Sequence, residues 1–222
     1  MSPVLSASVE NYLAAIYRAQ DQGERGTTTA IAQKLGVSPA STTAMFQKLA
    51  QAGLVEYTEY MGVSLTEKGR RAAMDVIRRH RLTERFLTDI LELPWDQVHE
   101  MAHCMEHALP PEVIERFEDL LNHPKACPHG FPIPSRSGTV EAVEVMPLDQ
   151  LEVAATARIE RVNETEAELL RYLHSQGLTP GTVIEVVEKC QFDQVMKLRV
   201  GEQEIMVGQR VARSVFVVGL AR

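Results

Sequence analysis

The sequence predicts a mainly α-helical chain with small β parts: an N-terminal winged helix-turn-helix, a helical middle segment and a C-terminal β-barrel of the SH3-like kind. Three observations predict it. Apolar residues recur at helical spacing through the first seventy positions, punctuated by cap and turn residues; the pattern from Arg70 to Asn122 is almost wholly helical; and from about Leu148 the texture changes to short alternating strands. At 222 residues, 45% apolar and 24% charged, the chain has the composition of a core-forming protein of two or three small domains.

From Val9 to Ala19, "VENYLAAIYRA" places Val9, Tyr12, Leu13, Ile16 and Tyr17 on one stripe, which predicts the first helix. A second helix starts near the Thr27 to Thr29 capping group. Ser38 is a good N-cap for a third, Pro39 to Gln51, with Gly36 at the turn between the two and Gly53 after the last. "LVEYTEYMGVSLTEKG" then reads as two strands around Tyr60-Met61-Gly62. Such a unit presents a recognition helix with a small polar start to the major groove, and its hairpin reaches neighbouring phosphates. The candidate DNA-facing positions are Thr28, Ser38, Pro39, Ala40, Ser41, Thr42, Thr43 and Lys48, with Tyr60 on the hairpin. Ser and Thr hydroxyls serve bases or phosphates, Thr methyls meet thymine methyls, and Lys48 neutralises a phosphate. The plainer alternative is that the hydroxyls only cap helices; Met45 and Phe46 read as the core side.

The middle segment offers "RRAAMDVIRRHRLTERFLTDIL", "DQVHEMAHCMEHAL" and "PPEVIERFEDLLN", the last opening on proline, followed by the proline-rich loop "HPKACPHGFPIPSRSG" and a linker. Beyond Leu148, "ATARIERV", a short helix "ETEAELLRYLHSQG", "TVIEVVEKC", "QVMKLRV", "QEIMVG" and "SVFVVGL" supply the barrel.

No apolar run approaches the roughly 18 residues of a membrane span, and the N-terminus lacks a basic region followed by an apolar one. Three scattered cysteines, Cys104, Cys127 and Cys190, make no disulfide framework, so the expected compartment is the cytoplasm. The formal charge of −7 argues against nucleic acid only if it is averaged. Residues 1 to 71 hold seven basic side chains against six acidic ones, so the acid lies elsewhere.

"VHEMAHCMEHALP" concentrates three histidines and two glutamates. On a helix turning 100° per residue, His99, His103, Glu106 and His107 fall within an arc of about 100°. His80 and Glu84 stand one turn apart on the preceding helix. Imidazole and carboxylate ligands in two such arrangements suit divalent Mn, Fe, Co, Ni or Zn.

Taken together, "NYLAAIY", "SPASTTAMFQKLAQAGLV", "LTEKGRRAA", "HRLTERFL", "VHEMAHCMEHAL" and "CPHGFPIP" resemble the metal-dependent transcriptional repressors of the diphtheria-toxin-repressor, iron-dependent-regulator and manganese-transport-regulator type, over nearly the whole chain. The resemblance implies a DNA-binding domain at 1–71, a helical dimerisation and metal-binding domain at 72–140 and an SH3-like, FeoA-like domain at 148–222 on a flexible link. It implies a homodimer that binds palindromic operator DNA when loaded with Mn(II) or Fe(II) and silences metal-uptake genes, with no membrane partner and no small-molecule substrate. His80, Glu84 and His99 match the family's ancillary site, and His103, Glu106 and His107 its primary site. Asn11 or Glu10 of the first helix joins the primary set, and Glu164, Glu166 or Glu168 completes the ancillary one. Where iron-sensing members have Met and Cys, this chain has Asn11 and His103; Cys104, one residue on, turns away. The loss of soft sulfur favours Mn(II) over Fe(II), while manganese-type members carry carboxylates at these places and this chain does not.

Two other readings compete. His99-Glu100-x-x-His103 fits the zincin pattern, in which two histidines hold zinc and the Glu is general base; under the family resemblance those histidines serve different ions and Glu100 faces outward. A metal-buffering protein without DNA binding is the second rival, and it has no use for the winged unit. Cys127 and His129 of "CPHG" read as a structural turn, and Trp95 and His174 as packing or surface residues.

Overall fold

The structure is a computed structural model and describes residues 5–21, 23–59, 61–141, 143–190 and 192–220. It divides into two compact units, 1–79 with 134–140, and 80–133 with 141–222.

In the first unit, α1 (Ala7–Asp21) buries the expected stripe, with Leu13 and Ile16 fully enclosed. α2 (Thr28–Leu35) is capped by the Thr27 side chain, which accepts from the Ala30 amide. Gly36 ends it in the left-handed region, φ 64°, and its amide closes on the Ala32 and Gln33 carbonyls. α3 (Pro39–Gln51) starts on Ser38, whose Oγ accepts from Ser41 at 3.1 Å. Strands β1 (Val55–Thr58) and β2 (Gly62–Leu65) pair antiparallel from Val55↔Leu65 to Thr58↔Gly62. Phe46 of α3 is the centre of this core, edge-on to Tyr12 at 6.2 Å and tilted against Tyr57 at 5.3 Å.

α4 (Glu67–Asp89) runs unbroken through the sequence-based boundary at 71, and the compact units part at 79 instead. Residues 134–140 join the first unit, where the Arg78 guanidinium donates to the Pro134 carbonyl at 2.9 Å.

In the second unit the rest of α4 packs with α5 (Val98–Met105) and α6 (Pro111–Leu120); Phe86 and Phe117 stack at 3.9 Å, over a core that includes Leu82 and Ile114. β3 (Met146–Pro147), β4 (Thr156–Val162), β5 (Val183–Cys190), β6 (Val195–Val200), β7 (Gln203–Gly208) and β8 (Val215–Gly219) form one antiparallel sheet in the order β3-β8-β4-β5-β6-β7. α7 (Ala167–Ser175) buries Leu169, Leu170 and Leu173 in the core of this sheet. α8 (Gln209–Ser214) lies against β3, β6, β7 and β8, so it spans from one end of the strand order to the other. β3 and α8 escape the sequence reading, because two and six residues are too short to show a period. No helix among the described residues is long and apolar enough to cross a membrane.

Candidate metal centre and nucleic-acid interface

Four pieces of chain, all within the second unit, converge on a buried group of acids, imidazoles and one thiol. α4 supplies His80 and Glu84, one turn apart and essentially without exposure. α5 supplies His99. The loop after α6 supplies Cys127 and His129, and the residues just beyond β4 supply Glu164, 8% exposed. Candidate ligand atoms of Glu84, Cys127, His129 and Glu164 all lie within 4.8 Å of one another, as do those of His80, His99 and Glu164. Glu84 Oε1 stands 3.0 Å from both His80 Nε2 and His99 Nδ1. A third group, His80, His103 and Glu106, shares His80: its Nδ1 is 2.6 Å from Glu106 Oε2, and Glu106 Oε1 meets His103 Nδ1 at 3.0 Å and His107 Nε2 at 3.3 Å.

The loop is locked where it enters this group. Gly130 has φ 90°, and a Cβ there would lie 2.0 Å from the Glu160 carbonyl oxygen, so the backbone lies directly on β4. The Val162 amide donates to the His129 carbonyl at 3.0 Å, which brings His129 and Glu164 to the same place. The guanidinium groups of Arg81 and Arg161 each lie over the Phe131 ring, at 5.2 and 5.1 Å from its centre.

Electrostatics follow from this crowding. Burial by itself would raise the Glu84 carboxyl, but His80, His129 and His99 overcome it and hold it well below the ordinary carboxylate range. Glu106 is lowered in the same way, its burial outweighed by the hydrogen bond and charge of His80 and the charges of His103 and His107. Burial would depress the His129 imidazole, and Glu84 and Glu164 raise it instead. Burial, then Glu84 and Glu164, push the Cys127 thiol well up.

Glu84 Oε2, His129 Nδ1 and Glu164 Oε2 are buried with no hydrogen-bond partner among the described residues. Orphaned polar atoms are costly, and His129 Nδ1 lies 3.5 Å from Glu84 Oε1 and 3.7 Å from Glu164 Oε2. Two carboxylates, an imidazole and a thiol, with His80 and His99 adjoining, are a donor set that fits a divalent transition metal.

Among the expected ligands, the structure gathers His80, Glu84, His99 and Glu164 in the buried group, and His103, Glu106 and His107 around its edge. Glu166 stays outside: it is exposed and paired with Arg210. Glu10 and Asn11 lie on α1, where Glu10 forms a 2.6 Å ion pair with Arg79. α5 ends at Met105; Glu106 caps it in helical geometry, its amide on the Ala102 carbonyl, and His107 follows in a turn, so His99 and His103 lie within the helix and Glu106 and His107 just past its end. The zincin pattern separates as well, since His99 and His103 fall in different groups and Glu100 is exposed. Cys104 is exposed, as its turn away from His103 requires. Cys127 and His129 are the residues that sequence reasoning missed. "CPHG" was their only local signal, and their partners lie more than thirty residues away on either side.

Ser38 at the cap of α3 and Pro39, Ala40, Ser41 and Lys48 on it are exposed, and Thr43, like Thr28 on α2, is half-buried. Thr42 corrects the expectation: it is fully buried, its hydroxyl donates to the Ser38 carbonyl and meets the Tyr12 hydroxyl at 3.2 Å, so it braces α3 on α1. Tyr60 lies outside the described residues.

A winged helix-turn-helix on the same chain as a buried acid, imidazole and thiol group defines a metal-binding regulator of transcription. Residues 4–63 match the iron dependent repressor N-terminal DNA binding domain, 66–135 the iron dependent repressor metal binding and dimerisation domain, and 146–218 the FeoA domain. The chain belongs to the diphtheria toxin repressor family of iron- and manganese-dependent repressors, a family of DNA-binding proteins and not of enzymes. It is 30% identical to the diphtheria toxin repressor of Corynebacterium diphtheriae over 192 residues, 82% of this chain and 85% of that one. It is 36% identical to the iron-dependent repressor IdeR of Mycobacterium tuberculosis (strain H37Rv) over 127 residues, 57% of this chain, and there it spans only 55% of the relative's length. Among solved structures, a manganese-dependent transcriptional repressor in complex with manganese superposes with a TM-score of 0.90 at 31% identity, covering 96% of this chain and 100% of that one.

Proposed function

We propose that this chain is a cytoplasmic, metal-activated repressor that binds palindromic operator DNA as a homodimer and silences metal-uptake genes. Mn(II) or Fe(II) is the co-effector, with Co, Ni or Zn able to substitute, and no small-molecule substrate is involved. The observation that carries the reading is the trio of orphaned atoms, Glu84 Oε2, His129 Nδ1 and Glu164 Oε2, on a chain that also bears the winged unit.

Glu84, Cys127, His129 and Glu164 would hold one ion, with His80 and His99 adjoining, and His103, Glu106 and His107 would serve a second position. A bound divalent cation supplies positive charge where carboxylates are buried and a cross-link among the pieces that carry them. The chain's own residues do the rest. His80 keeps Glu84 and Glu106 ionised and oriented, and Gly130 and Val162 hold His129 beside Glu164. Leverage on DNA binding is limited to the difference in metal affinity between competent and incompetent arrangements. Cys127 adds a sulfur donor that softens the site and narrows the preference for Mn(II) drawn from the absence of a thiol at position 103.

The test is a titration of chelator-stripped protein with Mn(II), anaerobic Fe(II) and Zn(II), scored by retention of pooled promoter fragments. Metal-dependent retention is expected, and it ranks the ions; no retention with any ion would reject the repressor reading in favour of metal buffering. Glu100→Gln should leave retention unchanged, whereas the zincin alternative requires proteolysis that this substitution abolishes.

A further inference from the structure

We infer that Trp95 is the positioning residue that directs His129 into the buried metal-ligand group and ties that orientation to α7 of the C-terminal sheet domain. The inference rests on the metal-binding part of the proposed function, and it concerns a residue that the sequence marks only as packing or surface.

Trp95 stands in the connection between α4 and α5. Its carbonyl oxygen lies 2.8 Å from His129 Nε2, and a carbonyl only accepts, so the imidazole donates from Nε2. In the neutral ring this selects one tautomer and leaves the lone pair on Nδ1. That atom lies 3.5 Å from Glu84 Oε1 and 3.7 Å from Glu164 Oε2, with no hydrogen-bond partner among the described residues. The same residue restrains the ring's face: the indole stacks on His129 with centroids 5.5 Å apart and planes 29° apart. Carbonyl and indole together oppose a flip that would exchange the two nitrogens.

Trp95 is itself anchored in the C-terminal domain. Its ring packs against that domain's core and lies 5.9 Å from the His174 ring on α7. The next residue, Asp96, is buried and accepts from Arg171 of α7 at 2.9 Å. One short segment therefore contacts a candidate ligand on one side and α7 on the other. Partners that fix the far nitrogen of a ligating histidine commonly matter to metal affinity by roughly 10- to 100-fold.

Trp95 is the chain's single tryptophan, so the protein carries its own reporter. Full-length, metal-stripped protein is titrated with Mn(II) while chelator competition measures occupancy and tryptophan emission is followed; Co(II) loading adds a ligand-field absorption spectrum. Wild-type emission should change in step with filling of the group, and His129→Ala should remove that change. Trp95→Leu should weaken Mn(II) binding by roughly 10- to 100-fold and alter the Co(II) bands. Trp95→Phe, which keeps an aromatic face on His129, should recover most of the affinity and the wild-type bands. Unchanged affinity and bands in Trp95→Leu would overturn the inference, and so would flat wild-type emission while chelator competition reports the group filled. If Trp95→Leu does not fold, wild-type emission and Trp95→Phe decide. Because metal binding is read directly, a failure of operator binding is a separate result.

Discussion

His80 and Glu106 meet at 2.6 Å through Nδ1 and Oε2, and the opposite nitrogen of the same ring faces Glu84 at 3.0 Å. One imidazole therefore stands between two buried carboxylates, each in a different candidate ligand group. His80→Ala should disturb both groups together. Removing one partner from a buried ion pair costs about 3–5 kcal/mol, so metal-free stability in urea should fall by that order, and the variant should lose Mn(II) affinity at both positions. Loss at one position alone would show that His80 does not link them.

Glu164 and Glu166 are two residues apart with opposite surroundings, one buried in the group and the other exposed on Arg210. Glu164→Gln should weaken Mn(II) binding by more than the roughly 10- to 100-fold typical of an outer-shell loss. Glu166→Gln should bind as wild type. Equal effects in a chelator competition would remove Glu164 from the ligand set.

The pH dependence has two parts of opposite sign. Glu84 and Glu106 are held below the ordinary range, so they stabilise the metal-free fold above the unfolded carboxyl value of about 4.3, and that contribution is lost as pH falls through their lowered folded values. His129 is raised, so its contribution is complete below the unfolded value of about 6.5 and lost as pH rises through the folded value. Metal needs His129 neutral and the Cys127 thiol, which is pushed up, deprotonated. Mn(II) affinity should therefore climb with pH from about 6.5 upward, with proton release visible by calorimetry in buffers of different ionisation enthalpy. A flat profile would exclude both groups as ligands.

Gly130→Ala should separate the ligand loop from β4. Its added Cβ meets backbone rather than a flexible side chain, and the positive φ costs roughly 1–3 kcal/mol before that clash is counted. Lower thermal stability with weaker Mn(II) binding is the expected pair of results; wild-type affinity would show that the loop's seat on β4 does not set the site.

On the DNA side, Lys48→Ala should reduce the salt dependence of operator binding by about one unit of slope. Thr42→Val should leave that slope alone and lower stability by about 1 kcal/mol, the usual worth of a buried hydrogen bond. A salt-titrated binding assay separates the two, and a changed slope in Thr42→Val would return that residue to the interface.

By itself the sequence determined what local periodicity and cap chemistry encode. Thr27, Ser38 and Gly36 sit at the helix ends they predict, Val9, Tyr12, Leu13, Ile16 and Tyr17 are buried together, and alternation located the main strands of the C-terminal sheet. His80 and Glu84 were legible as neighbours because i, i+4 spacing puts them on one helix face, whereas the place of His99 beside them was implied only by the family resemblance. Only the tertiary structure decided the rest. α5 ends at Met105, short of Glu106 and His107, and Thr42 turns inward, where α1 offers it a hydroxyl partner. Cys127, His129 and Glu164 reach Glu84 through the Gly130 contact with β4 and the amide of Val162, a meeting of segments far apart in the chain. Spacing encodes contacts within an element, and a ligand group assembled from a helix, a loop and a strand end exists only once long-range packing has closed it.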